Sequence, residues 1–190
     1  DRDDRVIYVG TFSKVMFGSL RLAYMVLPVA LREDFINAKF LSDFGCSGIE
    51  QAALAHFMES GGFERHLRLA RKELKARREE LIRGLQHYAG TRVEIVDSSA
   101  GMHVVAWLPG YDHAAVQELV DLAHARGLGL YPMAPHYLNA PARPGLLLGY
   151  CGLSAQELRE AMQLLGNCLD ELDRRLGDQS VELRQRRCMP

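Results

Sequence analysis

The spacing of hydrophobic residues changes near residue 90, and the change divides the chain into two parts with different folds. Before it, two apolar stretches, 6–10 and 20–27, predict strands, and helical spacing then continues to residue 89. From residue 92 onward, apolar residues alternate with polar ones, as they do in strands. Two strands are too few to bury stretches this apolar, so we expect the rest of the N-terminal sheet to come from absent residues or from a partner.

The N-terminal strands are followed by helices alone. The predicted helices are 29–43, one that opens at Ser47 and stops at Gly61-Gly62, and 63–89. Ser47 and Glu50 have the spacing of a capping box, in which the hydroxyl and the carboxylate each bind a free backbone N–H. The long third helix carries eight basic and four acidic residues between 64 and 83. We interpret this face as solvated, and contact with DNA phosphates is the alternative.

The C-terminal part predicts a compact α+β unit in the order strand, strand, helix, strand, strand, helix. The predicted strands are 92–97, 102–108, 128–131 and 145–150, and the predicted helices are 112–126 and 154–176. The first two strands are expected to form a hairpin around 98–101. Asp112 and the pair Ser154 and Glu157 are predicted N-terminal caps. The polar residues 178–190 are predicted to fray.

Composition excludes several classes of protein. The formal net charge of −1 excludes a globally basic nucleic-acid binder, and 48% hydrophobic with 25% charged residues excludes wholesale disorder. The four cysteines are far apart without a CxxC pair, which predicts neither a disulfide framework nor a metal site. No apolar run reaches membrane-spanning length and no signal peptide is evident, so we expect a cytoplasmic location without membrane contact.

The segment 5–32 contains no Asp or Glu, whereas the chain averages one carboxylate in about eight residues. Lys14 therefore lies between two predicted strands without a local acid, where burial would favour the neutral amine that attacks aldehydes. The hydroxyls of Thr11 and Ser13 and the guanidinium of Arg21 suit a phosphate dianion. An aldehyde that carries a phosphate describes pyridoxal phosphate. From these residues alone, an ordinary surface lysine remains the alternative.

Residues 11–24, TFSKVMFGSLRLAY, resemble the cofactor-lysine segment of fold-type I pyridoxal-phosphate enzymes, the aspartate aminotransferase superfamily. Further blocks resemble the aminotransferase-like domain of MocR-type regulators, and these are 5–14, 51–54, 62–68, 101–109 and 145–150. Such regulators join an N-terminal winged-helix domain of the GntR kind to a pyridoxal-phosphate domain that senses an amine or the cofactor itself.

This resemblance implies an α/β fold of the aminotransferase type with its N-terminal half absent. Residues 1–62 would be the end of the large domain, 63–90 a connecting helix, 91–177 the α+β small domain, and 178–190 a polar tail. The earlier elements of the family would lie outside the chain. They comprise the aspartate that pairs with the pyridine nitrogen, the aromatic that stacks on the ring, the Gly-rich phosphate turn and the DNA-binding domain.

The resemblance also assigns roles to residues. Lys14 would form the internal aldimine with pyridoxal phosphate, with Thr11 and Arg21, and more weakly Ser13, as phosphate ligands. Classical aminotransferases place an arginine near position 147 to grip the substrate carboxylate, but this chain has Leu147. We expect this departure to favour a sensor over an ordinary transaminase.

Three residues of the Pro-rich loop are predicted to contact the effector or substrate. Arg143 would replace the missing carboxylate-binding arginine, and His136 and Tyr137 would lie near the ligand entrance. The predicted partners are an amine or amino-acid effector, a second copy of the full-length protein, and DNA bound through the absent domain. A catalytic aminotransferase is the alternative function, and a degenerate remnant that serves only association is a third.

Overall fold

A computed structural model describes residues 2–96 and 101–187, so most of the predicted turn 98–101 lies outside the described residues. The chain separates into two units, residues 1–70 and 71–190. Their boundary falls inside a helix, and the three domain boundaries expected from the resemblance stay predictions.

The N-terminal unit starts with an antiparallel hairpin of β1 (Tyr8–Thr11) and β2 (Ala23–Val26). Three helices follow, and they are α1 (Arg32–Asp43), α2 (Gly48–Glu59) and α3 (Gly62–Gly84), the last continuing into the second unit. Single 3-10 turns precede β2 and α1, at Gly18–Leu20 and Val29–Leu31. The predicted order of two strands and then helices is confirmed.

The N-terminal unit leaves most of its apolar side chains uncovered. Among the described residues 2–70, Leu54 is the one buried hydrophobic side chain. Val9 in β1 is 64% exposed, Val26 in β2 is 58% exposed, and Phe44 after α1 is 81% exposed. Because covering apolar surface stabilises by roughly 25 cal/mol per Å², these strands and α1 form a surface that favours a covering partner.

The C-terminal unit contains one antiparallel sheet in the strand order β3-β4-β6-β5. Its elements are β3 (Glu94–Ile95), β4 (His103–Trp107), α4 (His113–Ala125), β5 (Tyr131–Pro132), β6 (Gly145–Gly149) and α5 (Ala155–Arg187). The predicted element order is confirmed, although β5 begins at the last residue of the stretch 128–131. Its pairing with β6, which sets Tyr131 opposite Leu147, decides that position.

The expectation of a frayed tail over 178–190 is wrong for residues 178–187, because α5 continues to Arg187. This segment is polar but contains Glu, Leu, Gln and Arg and no proline, and these residue types extend a helix readily.

The core of the C-terminal unit lies between one face of the sheet and the helices. Val104 and Ala106 of β4 alternate with Val105, and Leu146 and Leu148 of β6 alternate in the same way, so these four side chains are buried on one face. They belong to one cluster with the leucines Leu81, Leu85, Leu119, Leu158, Leu165, Leu169 and Leu172. Burial of each such leucine stabilises the fold by about 1.5–3 kcal/mol.

Two of the predicted caps are confirmed and one is wrong. The N–H of Ala115 donates to Asp112 at 2.8 Å, which caps α4. At α5, the N–H of Glu157 donates to the Ser154 hydroxyl at 3.2 Å, and the N–H of Ser154 donates to the Glu157 carboxylate at 2.7 Å. Ser47 makes no side-chain cap bond at α2, where its carbonyl instead accepts from the Gln51 side chain.

The capping box of α5 predicts a pH dependence of stability. Hydrogen bonds from the Ser154 backbone N–H, and then from its side chain, lower the pKa of Glu157 from the ordinary 4.5. A depressed pKa means that the contribution of Glu157 is present above 4.5 and is lost as the pH falls through the folded-state pKa. Glu157→Gln is therefore expected to destabilise at pH 7 but not in acid, as urea unfolding would measure. An equal difference at both pH values would contradict this.

Candidate functional site

The hairpin of the N-terminal unit ends in a turn that carries Lys14, and we call residues 12–16 the lysine turn. The carbonyl of Phe12 accepts from the N–H of Val15 at 3.2 Å and from that of Met16 at 2.8 Å, which closes the turn. The Thr11 hydroxyl oxygen accepts from the N–H of Ser13 at 3.2 Å. Lys14 therefore lies in the middle of a closed turn directly after β1.

Strand pairing brings Arg21 to the same end of the hairpin. The N–H of Phe12 donates to the carbonyl of Leu22 at 3.1 Å, which continues the pairing of Thr11 with Ala23. Arg21 precedes Leu22 and has a left-handed backbone, with φ of 51° and ψ of 29°. A non-glycine residue pays about 1–2 kcal/mol for that conformation, and such strain is common at functional sites. Thus the hairpin gathers Thr11, Ser13, Lys14 and Arg21, four of the predicted site residues.

The expectation that Lys14 is buried is wrong, because the described residues leave its side chain exposed. Lys14, Thr11 and Arg21 are exposed, as is the neighbouring Phe17 at 54%. The reason is geometric, because a two-stranded hairpin covers its connecting turn on one side at most. Removing water from the amine would require further protein to close over the turn.

Aromatic rings support the hairpin on one face. A Cβ at Gly10 would lie 2.4 Å from the Tyr24 ring, so a larger residue there would displace the ring from its place across β1. The Phe12 ring lies 5.6 Å from the Tyr24 ring and meets Phe63 of α3 edge-on at 6.1 Å. An open cavity of about 530 Å³ lies along these rings.

The first turns of α3 also reach the lysine turn. His66 lies 2.8 Å from the carbonyl of Val15, the residue after Lys14. Because a carbonyl only accepts, Nε2 of His66 is the donor. The sequence interpretation did not assign a role to His66 or Phe63. Both belong to the block 62–68, whose resemblance to the regulator domain was the one indication in the sequence that they matter. The spacing of residues along α3 cannot show which residues of the hairpin they contact.

The other predicted site residues belong to the C-terminal unit, in the loop between β5 and β6. Arg143 is ion-paired with Glu94, and its guanidinium lies 5.1 Å from the centre of the Trp107 ring. That guanidinium already has a carboxylate partner. His136 ends a 3-10 turn and is exposed, and Tyr137 after it is 44% exposed.

A second cavity, of about 760 Å³, lies in the C-terminal unit. Its lining includes Leu147, the position where the resemblance leads one to expect an arginine. The described residues that line it include His103, Glu157 and Glu160 but no lysine or arginine. This cavity therefore offers no strong cation to a carboxylate.

The described residues lack two further features. They contain no group of three or more His, Cys, Asp or Glu side chains that could hold a metal ion. No helix formed by residues 2–96 and 101–187 combines the length and the apolar character needed to cross a membrane.

Comparison with known proteins places this geometry among described families. Residues 1–165 match the family model "Aminotransferase class I and II". The chain is 34% identical over 167 residues to the uncharacterized HTH-type transcriptional regulator YhdI of Bacillus subtilis, and it covers 35% of that protein. It is 31% identical over 166 residues to the probable rhizopine catabolism regulatory protein MocR of Rhizobium meliloti, and covers 33% of it. Each alignment includes 87% of this chain, which thus spans about a third of these relatives.

Among solved structures, the chain is similar to LysN of Thermus thermophilus, an α-aminoadipate aminotransferase complexed with N-(5'-phosphopyridoxyl)-L-leucine. The TM-score is 0.72 at 25% identity, over 88% of this chain and 42% of that one.

Proposed function

The chain belongs to the aminotransferase class I and II family, and from this premise we propose that it is the cofactor-binding, effector-sensing part of a MocR/GntR-type transcriptional regulator. The predicted resemblance and the α/β fold of the aminotransferases are confirmed. The proposed cofactor is pyridoxal phosphate, and the proposed location is the cytoplasm.

One observation carries this proposal, namely the placement of Lys14 between Thr11 and Arg21 at a single end of the hairpin. An amine, a hydroxyl and a guanidinium are the donor set that an aldehyde bearing a phosphate requires. The donor set therefore fits pyridoxal phosphate, which when bound supplies an aldehyde and a ring that accepts electrons. The Lys14 nitrogen would bond to the aldehyde carbon as the aldehyde oxygen leaves as water, and Arg21 would place two N–H groups on the phosphate.

The hydrogen bonds of the hairpin leave the phosphate ligands available. Thr11 uses a lone pair to accept from the Ser13 N–H, so its hydroxyl proton can be donated to a phosphate oxygen. Arg21 has no ion-pair partner among the described residues, and no acid occurs in the surrounding segment 5–32. Ser13 would add a weaker contact through its own hydroxyl.

The positions expected to hold a substrate carboxylate offer no free arginine, and this favours sensing over transamination. Leu147 takes the place of the family's arginine, and Arg143 is already bound to Glu94. We therefore propose an amine or amino-acid effector that exchanges with Lys14 on the cofactor, with His136 and Tyr137 as contacts. In the intact protein, DNA would be bound by a separate domain, and a second copy would cover the exposed apolar surface of α1.

A catalytic aminotransferase is the second candidate, and the likeness of the fold to LysN favours it. In that case Lys14 would also move a proton at the substrate carbon. Incubation with an amino acid and a 2-oxo acid distinguishes the two, because an enzyme accumulates product over many turnovers. A sensor changes its DNA affinity without doing so.

The proposal is tested by mapping where pyridoxal phosphate attaches. The full chain is incubated with the cofactor, reduced with borohydride, digested with trypsin and analysed by mass spectrometry. Because a modified lysine is not cleaved, the label is expected on a peptide spanning residues 6–21. The other three lysines, Lys39, Lys72 and Lys75, serve as internal controls. A label spread evenly over all four would overturn the proposal.

Arg21→Gly is expected to separate stability from ligand binding. Glycine relieves the left-handed backbone, so the free energy of unfolding should rise by up to about 1 kcal/mol. Loss of the guanidinium should weaken phosphate affinity by about 10- to 100-fold, because charge-assisted hydrogen bonds contribute about 1.5–3 kcal/mol. Phe44→Gly is the matched control, since Phe44 is also left-handed, with φ of 56°.

Urea unfolding and equilibrium titration with pyridoxal phosphate provide the two readouts. The control should gain stability and keep its affinity. Unchanged affinity in Arg21→Gly would remove Arg21 from the proposed phosphate site.

A further inference from the structure

The lysine turn is held from outside by one face of α3. Phe63 and His66 are three positions apart on this helix, so they project from the same side. The Phe63 ring contacts that of Phe12, and His66 donates to the carbonyl of Val15 at 2.8 Å. One contact is two residues before Lys14 and the other is one residue after it, so α3 holds the turn on both sides of the lysine.

These two contacts do different things. The ring contact is apolar and non-directional, and it anchors the side chain of a residue that also pairs with β2 through Leu22. The hydrogen bond from His66 acts on the backbone itself, because the carbonyl of Val15 belongs to the peptide that ends the turn. Imidazole has two side-chain torsions, so its donor is placed with little loss of conformational entropy.

The backbone of the turn sets the direction of the Lys14 side chain. The turn's own closing bonds both end on the carbonyl of Phe12, at its start. The N–H of the Val15–Met16 peptide donates to Phe12, and the bond from His66 holds the same peptide at its carbonyl, so rotation of the backbone just after Lys14 is opposed from both sides of this peptide. Reactions between positioned groups are sensitive to such displacement.

We propose that His66 is a positioning residue, whose hydrogen bond to the carbonyl of Val15 holds the lysine turn so that the amine of Lys14 meets the aldehyde of the cofactor. This inference rests on the proposed function. His66 does not touch the reacting atoms in this scheme, and its contribution is made through the backbone.

Three variants of the full chain test this inference. His66→Phe keeps a planar ring but removes the donor, His66→Gln places an amide N–H near the position of Nε2, and His56→Phe on α2 is the control at an exposed histidine. The rate of pyridoxal phosphate incorporation at Lys14 is measured by borohydride trapping and mass spectrometry. We expect about a tenfold lower rate in His66→Phe, near-normal rates in His66→Gln, and no change in His56→Phe.

Amide hydrogen exchange without cofactor supplies an independent readout. Exchange at residues 15 and 16 should accelerate in His66→Phe and stay slow in His66→Gln. Equal incorporation by both His66 variants and wild type, or slow incorporation without faster exchange, would overturn the positioning role while leaving the proposed function standing. Failure of the wild type to incorporate label at Lys14 would overturn both proposals.

Discussion

Replacement of Lys14 by alanine is expected to reduce covalent incorporation of pyridoxal phosphate at least about 100-fold. The remaining Thr11 and Arg21 can hold a phosphate but provide no amine to bond with the aldehyde. Lys39→Ala is the control, because Lys39 is an exposed lysine of the same unit that is ion-paired with Asp43. Borohydride trapping followed by mass spectrometry measures the incorporated label.

A second ligand separates loss of the amine from loss of the site. Pyridoxine 5'-phosphate has the ring and the phosphate but no aldehyde, so its affinity should be the same in wild type and Lys14→Ala. If Lys14→Ala bound both ligands equally poorly, the substitution would have disrupted the hairpin instead of only removing a reactive group. Full incorporation of pyridoxal phosphate in Lys14→Ala would refute the assignment of Lys14.

The largest effect on stability is expected from Gly166→Val, at about 3 kcal/mol of destabilisation, the upper part of the range for overpacked cores. Gly166 is buried in α5, and a Cβ there would lie 2.8 Å from Cβ of Tyr88 and 3.1 Å from its carbonyl oxygen. A valine would therefore push against backbone, which cannot rotate away as the end of a long side chain can.

The segment opposite Gly166 is held firmly. Residues Leu85–Ala89 form a π-helical turn at the end of α3, and the Arg92 guanidinium donates to the carbonyl of Tyr88 at 2.8 Å and to that of Ala89 at 3.1 Å. Arg92 is also ion-paired with Asp170 of α5 at 2.7 Å. Because the same arginine joins the π-helical turn to α5, the two cannot separate to admit a larger side chain without losing these bonds.

Gly177→Ala in the same helix is the matched control for Gly166→Val. A Cβ at Gly177 meets no atom within 4 Å, so alanine should stabilise α5 by about 0.5–1 kcal/mol. Urea unfolding of both variants measures the difference. A Gly166→Val protein as stable as wild type would show that α5 can move away from Tyr88.

Periodicity predicted the helices and strands well where burial of one face was the organising force. The alternation of Val104 and Ala106 with Val105 made β4 predictable. A local capping motif, Ser154 with Glu157, also identified the start of α5. Periodicity failed where long-range partners decide local structure. The position of β5 depends on pairing with β6, and the last carbonyls of the π-helical turn are bound by Arg92, a contact that the spacing of apolar residues does not predict.

For the candidate site, the sequence by itself determined which chemistry is available, because an acid-free segment places an amine, hydroxyls and a guanidinium within a few residues of each other. Only the tertiary structure decided how these groups are held. It showed that Arg21 has a left-handed backbone and that Lys14 is exposed. It also showed the hydrogen bond from His66 to the carbonyl of Val15 and the ion pair of Arg143 with Glu94. The physical reason is that residue types set the reactions a site can perform, whereas burial and hydrogen bonding between distant residues arise when the chain folds.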